Sequence, residues 1–372
     1  MQREIRDLLI IQSLNLFIVG IIEIVLPLFL KERGISIEII GIIFALTPII
    51  FQFTRMLFAV LSDFFGRRIF FILNSFMNLF YLLAYYVSVY PIGFLIGKIL
   101  EGIKNASLYG VNRAYVMDHS KEKKKHLIYL RSLSNILRAF GNFFAGFLII
   151  LLSYANTILF CMCLSLLLPF FVIRLKEKRK KKFKWIEALR EIDIRKMKIS
   201  LKIFLLLFFV RGLSIGFISG YVLPLFLRNI GMEVRLIGII LSTYLLLSGF
   251  SSYLFRGIEI KKLVLFGGFF SSLFLMSLSF LYPLVPFIIL LLGWVKGIEF
   301  SSVESLISKI SRKESYAADI GMLFLGFHIG LFISQFLAGF IIASFGFNMI
   351  FTLSALILII YTIFAYRTLR FI

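Results

Sequence analysis

Apolar runs of about twenty residues recur along the whole of this 372-residue chain, and that recurrence restricts it to one class of fold. A helix crosses a hydrocarbon core roughly 30 Å thick with about 20 mainly apolar residues, and in lipid every backbone polar group must be satisfied within the protein. Read between charged or turn-rich breaks, the runs give twelve helices, at 8–30, 37–60, 69–89, 92–115, 127–152, 157–174, 201–227, 236–255, 263–281, 284–308, 320–343 and 348–366. Hydrophobic residues make up 60% of the chain and charged ones 16%, more apolar surface than a soluble core of this length can hide. The expected surroundings are a lipid bilayer and the expected fold is all-α. The N-terminal Met1-Gln2-Arg3-Glu4-Ile5-Arg6-Asp7 looks like a signal-peptide start. The run behind it carries Glu23 and Pro27 and lacks a small-residue cleavage site, so it is expected to remain as the first span.

A net charge of +22 would suggest nucleic acid in a soluble protein, but here the cations sit in short segments beside the spans, and no nucleic-acid partner is expected. With the N-terminus inside, the inner segments hold 29 of these cations, and the outer loops hold only Lys31, Arg33, Arg228 and Arg235. That bias closes only with an even number of spans and both termini cytoplasmic, as a multi-pass protein of the cell membrane. The longest polar stretch contains Lys176-Glu177-Lys178-Arg179-Lys180-Lys181-Lys182 and then Trp185-Ile186-Glu187-Ala188-Leu189. It is expected to lie as a basic, amphipathic linker on anionic headgroups. The expected organisation is a six-helix bundle over 1–174, a cytoplasmic linker over 175–199 and a second six-helix bundle over 200–372.

The two bundles are copies. At an offset of 197, Val25-Leu26-Pro27-Leu28-Phe29-Leu30 falls on Val222-Leu223-Pro224-Leu225-Phe226-Leu227, Gly34 on Gly231, and Ile40-Gly41-Ile42-Ile43 on Ile237-Gly238-Ile239-Ile240. At 195, Glu101-Gly102-Ile103-Lys104 meets Lys296-Gly297-Ile298-Glu299, and at 193 Phe143-Phe144-Ala145-Gly146-Phe147 meets Phe336-Leu337-Ala338-Gly339-Phe340. Six spans per copy give both copies the same membrane sense, so they are parallel repeats about an axis along the membrane normal. Such an assembly places a solute site near the midplane and opens it to either side by rocking.

After the second span stands Ala59-Val60-Leu61-Ser62-Asp63-Phe64-Phe65-Gly66-Arg67-Arg68, which resembles the loop 2-3 signature of the major facilitator superfamily, with Ala59 in place of the leading Gly. Lys98-Ile99-Leu100-Glu101-Gly102 is similar to the family's span 4 motif, and Arg113 with Asp118 resembles its loop 4-5 pattern. The resemblance covers the whole chain and implies secondary transport. It also implies that Asp63, Gly66, Arg67, Arg68, Arg113 and Asp118 form a cytoplasmic charge network that steadies one end state. The second copy, Phe255-Arg256-Gly257-Ile258-Glu259-Ile260-Lys261-Lys262, keeps basic charge but not the spacing. The span 5 motif of drug/proton antiporters finds Gly141-Asn142-Phe143-Phe144-Ala145-Gly146, without its proline.

A charge at a helix centre is disfavoured by about 2.5–3.5 kcal/mol on insertion scales, so intramembrane charges mark either function or pairing. The central set is Glu23, Lys98, Glu101, Arg138, Arg211, Lys296, Glu299 and His328, with Arg55, Lys104, Arg131 and Glu304 nearer the ends. Lys98 with Glu101, Glu101 with Lys104, and Lys296 with Glu299 are spaced i,i+3 and can pair along one helix face. Glu23, four residues before Pro27, is a candidate proton site, or else a salt-bridge partner of Arg138 or Arg55. Arg138 and Arg211 suit a planar anion, or pair structurally. His328 is a proton relay or hydrogen-bonded packing. No acid pair suited to Mg²⁺ and diphosphate is present, and Cys161 and Cys163 are badly placed for a disulfide or metal, so neither an enzyme nor a cofactor is expected. The function expected is transport of a small solute by a monomer, coupled to protons and in the direction of efflux antiport. A small-anion carrier is the alternative, as is a non-transporting receptor in which the central charges pack against one another.

Overall fold

The computed structural model describes residues 3–177, 199–255, 257–310 and 316–369. In chain order the helices are α1 Arg3–Glu32, α2 Ile37–Phe65, α3 Arg68–Val87, α4 Pro91–Tyr109, α5 Asn112–His119, α6 Lys123–Ser165 and α7 Leu168–Ile173. They continue as α8 Ile199–Gly216, α9 Val222–Asn229, α10 Val234–Leu254, α11 Ile260–Leu278, α12 Val285–Ile310, α13 Tyr316–Phe345 and α14 Phe347–Thr368. Nine of the described helical segments are long and apolar enough to cross a membrane. One of these, Leu133–Ile173, holds two of the expected spans. The remaining spans are the charge-bearing α4 and the interrupted α8–α9, which brings the structure to the twelve read from sequence. Most of the basic linker, residues 178–198, lies outside the described residues, as do Arg256, Arg312, Lys313 and Arg370.

The sequence repeat has backbone causes. After α1 the Ile35 N–H donates to Leu30 O (3.1 Å) and Gly34 N–H to Lys31 O (3.0 Å); after α9, Met232 donates to Leu227 O and Gly231 to Arg228 O, both 3.1 Å. This closure of a helix C-terminus needs a left-handed residue, and Gly34 (φ 74°) and Gly231 (φ 86°) supply it. The turn between the last two spans of each copy also recurs. Gly346 stands at φ 79°, ψ 176° between α13 and α14, and Ser153, 193 residues earlier, adopts φ 73°, ψ 168° where α6 breaks into two spans.

The seventh span departs from expectation. A continuous helix over 201–227 was expected, but α8 stops at Gly216 and α9 begins at Val222. Between them Gly220 turns to φ 67°, at the position that Glu23 occupies in the unbroken α1. Without a Cβ, Gly220 accepts this conformation freely; Glu23 would not.

The chain packs as two compact units, one of Met1–Ile35, Leu46–Lys184 and Glu233–Ile239, the other of Ser36–Ala45, Trp185–Met232 and Ile240–Ile372. In the first, α1 lies on α6 and α3 on α4; in the second, α13 lies on α8, and α11 on α12 and α14. The repeated glycines seat short helix starts. In the second unit a Cβ on Gly41 would come within 2.8 Å of the Tyr221 hydroxyl and 3.1 Å of Gly339 Cα, and one on Gly339 within 2.6 Å of Ile37 O. In the first unit a Cβ on Gly238 would fall 2.8 Å from Asn142 O and 3.2 Å from Gly146 Cα. Both copies keep glycine here because the backbones touch.

Candidate functional site

Helices α1 and α6 meet at Gly20 and Gly141, whose Cα atoms come so close that a Cβ on Gly20 would lie 2.9 Å from Gly141 Cα and against Arg138 O. That approach brings the side chain of Arg138 onto Glu23, where Nη2 donates to Oε1 in a salt bridge. Of the two partners expected for Glu23, the structure selects Arg138. The pair is only half-buried, with side-chain exposures of 33% for Glu23 and 34% for Arg138. The other central acids are far less accessible, Glu101 at 12% and Glu299 at 4%.

Glu101 is enclosed by donors. Its Oε2 accepts from Lys98 Nζ at 2.8 Å and from the Tyr85 hydroxyl at 2.6 Å. The expected pairing of Glu101 with Lys104 does not form. Fully buried Lys104 instead lies 5.3 Å from the centre of the Tyr81 ring, and its Nζ has no hydrogen-bond partner among the described residues. An ammonium over an aromatic face is a recognised substitute for an anion. Below it, Asn74 Nδ2 donates to Lys104 O (2.8 Å), and Asn78 Nδ2 reaches Asn15 Oδ1 (2.8 Å), tying α1, α3 and α4 by amides.

In the second unit Lys296 Nζ donates to Glu299 Oε2 at 2.8 Å, as the spacing predicts. Arg211 Nη2 stands 3.9 Å from the same oxygen, with its guanidinium 5.5 Å from the Phe327 ring centre. His328 Nδ1 bonds the Phe324 carbonyl at 2.7 Å; because a carbonyl only accepts, that nitrogen carries the hydrogen. Tyr85 was missed in the sequence, and no local pattern could have found it, since it reaches Glu101 from the neighbouring helix α3.

The loop 2-3 signature folds around one guanidinium. Arg67 donates from Nη2 to Asp63 Oδ1 (2.8 Å), from Nε to Asp118 Oδ2 (2.5 Å) and from Nη1 to Ser62 Oγ (3.0 Å), joining α2, α5 and the start of α3. Gly66, at φ 90°, makes the turn. Arg68 points elsewhere, to Ile173 O at 2.7 Å. Exposed Arg113 adds no side-chain bond to this network among the described residues; its backbone N–H bonds Asn112 Oδ1. Among the described residues no group of three His, Cys, Asp or Glu side chains could hold a metal ion, and Cys161 and Cys163 are free.

The sequence profile of the Major Facilitator Superfamily matches residues 8–281 and 203–370. The chain belongs to that superfamily. Its fold, twelve spans in two repeats, is similar to crystal structures of the nucleoside transporter NupG. For a single-residue mutant of NupG the TM-score is 0.81 at 15% identity, covering 98% of each chain. For NupG without that change it is 0.79 at 13% identity, covering 99% of this chain and 98% of the other. No match was found among curated proteins. Membership makes this multi-pass membrane protein a secondary transporter rather than an enzyme.

Proposed function

We propose that the protein carries a small solute by alternating access, and that proton binding at Glu23 drives or is driven by that movement. The supporting observation is the accessibility of the Glu23–Arg138 pair beside the enclosure of the other central acids. A lipid-facing ion pair would be strongly disfavoured, so an accessible intramembrane pair is best placed on a wet surface. Protonating Glu23 removes the anion that holds Arg138, and losing the proton restores it; this gives the two-state element that coupling requires. In the same reading both termini are cytoplasmic in the cell membrane, the working unit is a monomer, and the Phe-rich spans favour expulsion of apolar or cationic compounds in exchange for protons. The enclosed Lys98–Glu101 and Lys296–Glu299 pairs act as structural ties. The burial of Lys98, Arg211 and Lys296 weakens the small-anion alternative, because of the four central cations only Arg138 is on an accessible surface, and Glu23 holds it.

The solute is found first by thermal shift in detergent, since a ligand that binds the folded state raises the unfolding midpoint. Nucleosides belong in the first panel, because the similar solved structures are of a nucleoside transporter. In proteoliposomes, Glu23→Gln is expected to keep solute counterflow and to lose movement driven by an imposed pH gradient. A Glu23→Gln variant that follows the gradient as wild type does would remove Glu23 from the coupling.

A further inference from the structure

The residues that open the linker are anchored by three kinds of contact, and the last of them reaches the loop 2-3 signature. Leu175 is buried in the apolar cluster of Ile5, Leu8, Phe71 and Tyr115. Lys176 accepts a hydrogen bond at its carbonyl from the Tyr115 hydroxyl (3.2 Å) and places Nζ 2.9 Å from Glu4 Oε1. Glu177 spreads its carboxylate over the start of α3: Oε1 accepts the Arg67 N–H at 3.0 Å and Oε2 the Arg68 N–H at 2.9 Å. Those amides begin a helix whose own cap residue, Arg67, makes no side-chain cap bond. A residue 110 positions away in sequence therefore does what a local Ser, Thr or Asp does in most helices.

Gly66 is constrained twice. Its φ of 90° disfavours any side chain, and a Cβ there would fall 2.5–2.8 Å from the three carboxylate atoms of Glu177. The glycine of the signature thus makes the turn and leaves room for the carboxylate. Arg67 joins the two systems, holding Glu177 by its backbone N–H and Asp63, Asp118 and Ser62 by its guanidinium.

We propose that Glu177 is a positioning residue for the loop 2-3 charge network: it fixes the backbone of Arg67, and with it the guanidinium that ties α2 to α5, so that displacement of the linker is felt at Arg67. Glu177 is exposed, which suits a contact that is made and released. The inference concerns the network alone and stands whether or not Glu23 carries the coupling.

Hydrogen exchange on the full-length protein in detergent tests the contact, and a double-mutant cycle tests its reach. Glu177→Ala is expected to speed exchange of the Arg67 and Arg68 amides by about fivefold. If Glu177→Ala does not fold, Glu177→Gln replaces it, with one acceptor oxygen left and a smaller increase. In the cycle with Asp118→Asn, the midpoint shift of the double variant should fall well short of the sum of the single shifts, because both act through Arg67. Unchanged exchange would show that the carboxylate does not hold these amides. Faster exchange with additive shifts would reduce Glu177 to an ordinary cap and overturn the positioning role.

Discussion

Arg138 Nη2 donates to Glu23 Oε1 where α1 and α6 touch, and each of these two side chains keeps about a third of its surface accessible. Removing one member leaves the other as an uncompensated charge. Arg138→Gln is therefore expected to destabilise the protein by about 1–3 kcal/mol, with the Glu23→Gln, Arg138→Gln double variant recovering most of that loss. Unfolding in mixed detergent micelles measures both; a double variant as unstable as the sum of the singles would show that the two do not act as a pair.

The enclosed pair behaves differently. Glu101→Ala strands Lys98 and the Tyr85 hydroxyl together and is expected to cost about 3–5 kcal/mol, whereas replacing Lys98 and Glu101 jointly by Met, with Tyr85→Phe to remove the hydroxyl that Glu101 accepts from, should be close to neutral. The same micelle unfolding reads both variants. If the joint variant folds stably but no longer transports, the pair has a role beyond tying α4 in place.

Ser153 holds a backbone conformation that its repeat counterpart meets with Gly346. A side chain in that region is strained by about 1–3 kcal/mol, part of which is offset because glycine loses more backbone entropy on folding. Ser153→Gly is accordingly expected to raise stability by about 0.5–2 kcal/mol, and Gly346→Ser to lower it by a similar amount. Thermal unfolding that shows no gain for Ser153→Gly would mean that the first copy turns by another route.

Much of this was legible in the sequence because lipid simplifies the code. Span length follows from bilayer thickness, so the break near Ser153 and the twelve-helix count could be read from apolar runs. The repeat of Gly34 with Gly231 and of Gly146 with Gly339 was visible as identity, but not its reason, since backbone approach and φ are properties of the folded chain. The interruption at Gly220 was passed over because the run stays apolar on either side of it, although Gly216 and the Ser219-Gly220 pair mark the place. Rotational placement was equally hidden: spacing allowed Glu101 to pair with Lys98 or Lys104, and only the position of Tyr81 on α3 shows why Lys104 can do without it. Glu177 looked like one acid in a basic run, although its partners lie 110 positions earlier.

The glycine contacts give a fourth expectation. A Cβ on Gly339 would meet the Ile37 carbonyl at 2.6 Å, which is backbone and cannot swing aside. Gly339→Ala and its counterpart Gly146→Ala are each expected to lower stability by about 1–3 kcal/mol through overpacking. Gly321→Ala, where a Cβ would meet nothing within 4 Å, serves as the control and should leave the midpoint in place or raise it slightly. Equal effects at all three positions would show that close approach is not what keeps the repeated glycines.

Coupling through Glu23 is tested most directly by recording proton flux with a pH-sensitive dye in proteoliposomes while a solute from the thermal-shift panel moves down its own gradient. Wild type is expected to move protons in step with the solute, and Glu23→Gln to move the solute with no accompanying pH change. Solute movement in wild type without proton flux, or the same flux in Glu23→Gln, would contradict the account.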